Sequence, residues 1–146
     1  MKNLSIIIVA LLLLGISSCS KKYAGDSFDT STSLPPYVEF TSKAAKTVQQ
    51  GQSITVPVQM KTALTEDVTV TYQITGISPT KTGTIVIPRN TVKATATITI
   101  PTGIVAAPGT SVAAQLKLVS AVRGTEALRV GYKDPSSEVI NLKITF

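Results

Sequence analysis

The sequence predicts an all-β fold, a sandwich of two antiparallel sheets with about seven strands. Three observations carry that expectation. From Tyr37 onward, apolar and polar residues alternate with a period of two in run after run, which puts every second side chain on one face of a strand. Thr, Val and Ile dominate these runs, and their branched side chains favour a pleated, half-buried surface. No stretch after Cys19 has helical spacing.

In order, Val38 and Phe40 open the pattern. Ile54, Val56, Val58 and Met60 continue it after a turn at Gln49-Gln50-Gly51-Gln52. Val68, Val70, Tyr72 and Ile74 alternate with Thr69, Thr71 and Gln73, so one face of that strand is core and the other is wet. Ile85 and Ile87 form a shorter strand that ends at Pro88, and Arg89-Asn90-Thr91 turns the chain into a long strand carrying Val92, Ala94, Ala96, Ile98 and Ile100. Val112, Ala114, Leu116 and Leu118 define the penultimate strand. Ile140, Leu142, Ile144 and Phe146 define the last.

Two features constrain the edges. Pro57 has no amide proton to give a ladder, so its strand is expected to have an edge or a bulge there. Ser120 to Ser136 reads as the longest irregular stretch, although Leu128, Val130 and Tyr132 alternate and can supply an eighth short strand. A closed barrel is the competing architecture.

Ahead of the domain, Lys2 precedes an apolar run from Ile6 to Ile16, which leads into Ile16-Ser17-Ser18-Cys19. A charged start, a short apolar stretch and small residues before a cut site describe a secretory signal segment. The run is shorter than the ~20 apolar residues a spanning helix needs. Small residues directly before a cysteine resemble the lipobox of bacterial lipoproteins. The resemblance implies cleavage before Cys19 and acyl chains on Cys19 that hold the protein at a membrane. Residues 1–18 are then a signal peptide, 19–36 a lipidated flexible tether and 37–146 the sandwich. The tether is rich in Ser, Thr, Asp, Gly and Pro, a composition that buries too little surface to fold. The expected location is the bacterial cell envelope, at the outer membrane. Ser20 after Cys19 resembles outer-membrane sorting, whereas Lys21-Lys22 does not resemble the acidic export tag of surface lipoproteins, so the periplasmic and surface faces both stay open.

Composition excludes several chemistries. The chain has no histidine and a single cysteine, so Ser-His-Asp and Cys-His catalysis, zinc sites of the His and Cys type and an internal disulfide are ruled out. Its eight acidic residues form no recognisable catalytic pair, and no glycine-rich phosphate loop precedes a helix. Neither enzymatic activity nor a cofactor is expected. The formal net charge of +6 is dispersed apart from Lys21-Lys22, and an exported chain rarely meets nucleic acid, so the charge is read as solubility and membrane proximity and no nucleic-acid partner is expected.

Binding residues are sought where glycine and proline surround an aromatic. Arg129-Val130-Gly131-Tyr132-Lys133-Asp134-Pro135 supplies one, and Tyr132 reads either as a stacking platform for a sugar ring or as a rim residue that covers one end of the sandwich. The chain has no Trp. Arg123, Arg129 and Lys133 read as a basic patch on the same loop, fitted to an acidic glycan or a partner's carboxylates, or else as a solvated loop. Tyr37 is expected to seal the tether end.

Val68-Thr69-Val70-Thr71-Tyr72, Gly83-Thr84-Ile85-Val86-Ile87-Pro88 and Thr95-Ala96-Thr97-Ile98-Thr99-Ile100 together resemble Calx-β-type domains and their relatives in lipoproteins of the Bacteroidetes. The resemblance covers Tyr37 to Phe146 and implies an immunoglobulin-like sandwich. Some members of that family bind calcium through acidic loop clusters. Here Glu66-Asp67 is the only adjacent acidic pair and Pro101 to Ser111 holds no carboxylate, so calcium is not expected and no ligand is carried over. The functional expectation is a non-enzymatic, lipid-anchored binding or interaction module with a protein or glycan partner. Its alternatives are a glycan-binding accessory lipoprotein of a polysaccharide uptake system and a structural subunit of a surface assembly.

Overall fold

The computed structural model describes residues 35–132 and 138–146. Pro35–Phe146 forms one compact unit, and the described residues are all-β. Among the described residues there are nine strands: β1 (Tyr37–Phe40), β2 (Lys46–Gln49), β3 (Ser53–Met60), β4 (Val68–Thr75), β5 (Lys81–Ile87), β6 (Lys93–Thr99), β7 (Ser111–Arg123), β8 (Glu126–Val130) and β9 (Val139–Thr145). One sheet runs β5-β4-β7-β9-β2 and the other β8-β1-β3-β6.

The two sheets are joined by β8, which pairs antiparallel with β7 and parallel with β1. Along one side β7 carries β4. Along the other it carries β9 at Ser111–Lys117 and then β8 at Ala121–Arg123. Where β9 gives way to β8, the ladder divides and β8 crosses to the second sheet.

The strands expected from alternation are present, with four corrections. β2 lies where only a turn was expected, because Lys46-Thr47-Val48-Gln49 buries Val48 alone and shows no alternation. It pairs parallel with β9, and β1 pairs parallel with β8, so the sandwich is mixed and not wholly antiparallel. β7 runs on to Arg123 and β8 follows it, so most of the stretch read as irregular is a hairpin. The reason is a bulge: Thr71 faces Ser120 while Tyr72 faces Leu118, which leaves Val119 unmatched and 52% exposed. Burial on β7 therefore changes from Ala114, Leu116 and Leu118 to Ala121, and the period-two signal shifts phase. Val92 and Phe146 continue their strands' patterns but lie exposed at the ends.

Pro57 is placed by β1. Strand β3 pairs with β6 along its length but with β1 only at Val58–Met60, so among the described strands its β1 side becomes the expected edge at Pro57, and it has no register shift. The amide of Thr41 donates to the Pro57 carbonyl (3.1 Å), so the backbone of Pro57 faces β1 where that strand ends. Its missing donor falls where the ladder is finishing, and the β3–β6 pairing is undisturbed.

Both sheets press one apolar layer between them. Val38, Phe40, Val56, Val58, Val70, Ile74, Ile87, Ile98, Leu116, Leu118, Ile140 and Ile144 are buried in it. Each such side chain contributes roughly 1.5–3 kcal/mol on leaving water. The turn before β3 forms as expected, with Gly51 at φ +81° and the Gln52 amide donating to the Gln49 carbonyl (3.1 Å). The Gln50 carboxamide accepts from the Ile104 and Val105 amides (3.0 Å each) and donates to the Val105 carbonyl (3.2 Å), pinning the carboxylate-free loop after β6.

Tyr72 on β4 is cross-strand from Gly83 on β5, and its ring lies over the glycine. A β-carbon at position 83 would stand 2.4 Å from Tyr72 Cζ. The residue is glycine because the ring occupies the space a side chain needs. Burial raises the Tyr72 phenol above its ordinary pKa. Gly83→Val should lower unfolding free energy by about 2 kcal/mol in urea titrations, as overpacking does. An unchanged midpoint would show that the ring moves aside freely.

Candidate binding face and the buried carboxylate at the sheet junction

The parallel pairing of β1 with β8 sets Tyr37 beside Arg129, on the face of the sheet opposite the core residues Val38 and Val130. Beyond β8, Gly131 adopts φ +76° and donates its amide to the Val38 carbonyl (2.8 Å), and the chain swings Tyr132 over Tyr37. The two rings meet with centroids 5.3 Å apart and planes tilted by 48°, a favoured aromatic arrangement. Tyr132 is 39% exposed. Next along β1, Glu39 accepts a hydrogen bond from the Gln59 carboxamide (2.9 Å), and Gln59 is in register with Lys93. Partial removal from water, then the nearby Glu39 and Tyr132, raise the pKa of the Tyr37 phenol above its ordinary value.

This face holds two phenols, a guanidinium, a carboxylate and an amide at one corner of the domain. Arg129 and Tyr132, both expected from the sequence, come together here. Tyr37, expected only to seal the tether end, is their third member. Glu39 and Gln59 were not singled out, because nothing in either local sequence shows that the strands bearing them are neighbours. Arg123 does not join the group. It sits at the other end of β8, ion-paired with Glu126 across the β7–β8 turn, roughly 20 Å along the strand from Tyr132. The basic patch of Arg123 with Arg129 is therefore not formed. Lys133 and Cys19 lie outside the described residues.

The most consequential polar group was not visible in the sequence. Glu138 is fully buried at the head of β9, where the ladder divides. Its Oε2 accepts the Phe40 amide of β1 (2.8 Å), and its carbonyl accepts the Leu118 amide of β7 (3.1 Å). Lys43, just after β1, brings its ammonium to 2.5 Å from Oε1 as an ion pair, although Oε1 accepts no hydrogen bond of normal geometry among the described residues. A buried carboxylate without such partners would cost several kcal/mol. One residue, through its carboxylate and its main-chain carbonyl, thus ties a strand of each sheet together.

The remaining acidic pair is also engaged. Glu66 and Asp67 line a cleft of about 500 Å³ with Thr65, Arg89 and Gly124, and the Asp67 carboxylate accepts the Arg89 amide (2.7 Å). Calcium requires six to eight oxygens, several from carboxylates. Among the described residues no group of three acidic or other metal-binding side chains comes together. Among the described residues the arrangement does not fit a calcium ion.

The architecture is that of a Calx-β-like sandwich, and solved structures share it. The crystal structure of the apo form of the Calx CBD1 domain superposes with TM-score 0.52 at 12% identity, covering 76% of this chain and 96% of that one. The calcium binding domain CBD12 of CALX1.1 gives 0.50 at 13% identity, and CBD12 from CALX1.2 gives 0.52 at 12%, covering 73% and 75% of this chain. This chain spans 44% of each of those two. The likeness is one of fold. No protein-family model and no curated protein matches the sequence.

Proposed function

We propose that this protein is a non-enzymatic, lipid-anchored module of a bacterial envelope that binds a partner through the face built on Tyr37, Arg129 and Tyr132. The observation that carries the reading is the convergence of two tyrosine rings, a guanidinium, a carboxylate and an amide on one exposed corner. Tyr37 follows Pro35-Pro36 directly, so the face lies at the end of the domain to which the tether connects. The acylated Cys19 would hold the sandwich at the membrane, and the tether, roughly 55 Å when extended, would let it turn toward its partner.

A narrower second reading assigns a saccharide as the ligand, in a polysaccharide uptake system. It is favoured by the aromatic pair beside Glu39 and Gln59, since sugars present apolar ring faces for stacking and hydroxyls for carboxylate and amide groups.

Affinity electrophoresis through gels containing neutral or acidic polysaccharides tests this ligand class. The wild-type chain should be retarded by at least one, and Tyr132→Ala with Arg129→Ala should weaken retention about tenfold, equivalent to roughly 1.4 kcal/mol. Equal retention of the double variant would remove this face, and no retardation in any gel would remove the saccharide. The anchor is tested separately: Cys19→Ser should move the protein from the membrane fraction to the soluble envelope fraction with its fold intact. A variant that stays wholly in the membrane would show that lipid on Cys19 is not the attachment.

A further inference from the structure

Strand β6 ends the second sheet, and no described strand pairs with its outer side. Which of its backbone groups face outward follows from three hydrogen bonds. The Val92 carbonyl accepts the Met60 amide (2.8 Å), the Ile100 amide donates to Gln52 (2.9 Å), and the Ile100 carbonyl accepts from Gly51 (2.9 Å). In an antiparallel strand the N–H and C=O of one residue point the same way, and successive residues point opposite ways. Val92, Ala94, Ala96, Ile98 and Ile100 therefore direct their backbones at β3, and Lys93, Thr95, Thr97 and Thr99 direct theirs outward.

One outward acceptor is taken. Lys81, at the head of β5, donates its ammonium to the Thr99 carbonyl (2.5 Å). That leaves the outward amides and carbonyls of Lys93, Thr95 and Thr97, an open ladder spanning about 14 Å. Natural sheets blunt such edges against one another with lysines, prolines, bulges or covering segments. β6 has neither a proline nor a register shift, and its charges stand only at the two ends, Lys93 on the strand and Lys81 reaching Thr99. Its core-facing residues at this edge, Ala94 and Ala96, are small and only partly buried, so an added strand would find room beside them.

The charges decide what can pair there. The open ladder is bracketed by Lys93 at one end and Lys81 at the other, in a chain of net charge +6. A second copy adding through the same edge would bring two further lysines to the first two, and like charges on paired strands are unfavourable. We infer that the outer edge of β6 takes up an extended peptide from another protein, one that alternates small apolar and polar residues and carries a carboxylate at each end. Its apolar side chains would lie beside Ala94 and Ala96, its polar ones beside Thr95 and Thr97, and its acids would meet Lys93 and Lys81. This is strand addition, with main-chain hydrogen bonds supplying affinity and the bracketing lysines supplying selection.

The test uses the full-length chain and two synthetic seven-residue peptides, one alternating Thr and Val between terminal glutamates and the other identical but ending in lysines. The glutamate peptide should bind, shift the amide resonances of Lys93, Thr95 and Thr97 and slow their exchange with solvent, and the lysine peptide should bind at least tenfold more weakly. Thr95→Pro removes an outward donor and leaves the β3 ladder intact, and it should weaken the glutamate peptide about tenfold. Lys81→Glu with Lys93→Glu should reverse the preference between peptides, an outcome that does not depend on the proline variant folding. Equal binding of the two peptides, unchanged exchange at those three amides, or self-association of the wild-type chain through β6 would each overturn the inference.

Discussion

The fold depends on how the protein handles the place where one sheet divides into two. Strand β7 is too long to keep a single partner on its second side, so β9 stops and β8 begins there, and β8 then leaves for the other sheet. Such a division strands backbone groups in the core, and each buried group without a partner costs roughly 1–3 kcal/mol. Glu138 answers this with one carboxylate and its own carbonyl, reaching Phe40 in one sheet and Leu118 in the other. Lys43 neutralises the charge this places in the interior. A buried ion pair of this kind adds little net stability compared with an apolar contact, but removing one partner leaves the other's polar atoms stranded.

That junction also shapes the candidate binding face. Because β8 crosses to the second sheet, it lies parallel to β1 and sets Arg129 against Tyr37, and the left-handed turn at Gly131 lays Tyr132 on that ring. Had β8 remained beside β7 alone, Tyr132 and Tyr37 would not be brought together by strand pairing. At the opposite side of the sandwich the second sheet ends openly at β6, where two lysines bracket the unpaired backbone. The two surfaces serve different chemistries: one presents rings and polar side chains, the other presents the main chain itself.

Much of the fold was legible because burial on one face writes a period of two into the sequence, as in Val68, Val70, Tyr72 and Ile74. The misses have specific causes. Strand β2 is held by its ladder to β9 and buries only Val48, so it leaves no alternation to read. Val119 interrupts β7 with a phase shift that looks like the end of a strand. Glu138 follows Pro135-Ser136-Ser137 in a segment whose composition announces a loop, and its burial arises from strands far away in sequence. The site was half legible for the same reason. Arg129 and Tyr132 are three residues apart, whereas Tyr37 joins them only through pairing. Arg123 is close in sequence but lies at the far end of β8, because a strand is extended.

The Glu138 carboxylate closes the junction between the sheets, and the exchange rate of the Phe40 amide with deuterated solvent reads that closure at the bond itself. The wild-type amide should exchange only on global unfolding, as slowly as the core amides of β7. In Glu138→Ala it should exchange at least a hundredfold faster than those core amides in the same molecule. A Phe40 amide that stays as protected as the core in that variant would show that the junction closes without the carboxylate.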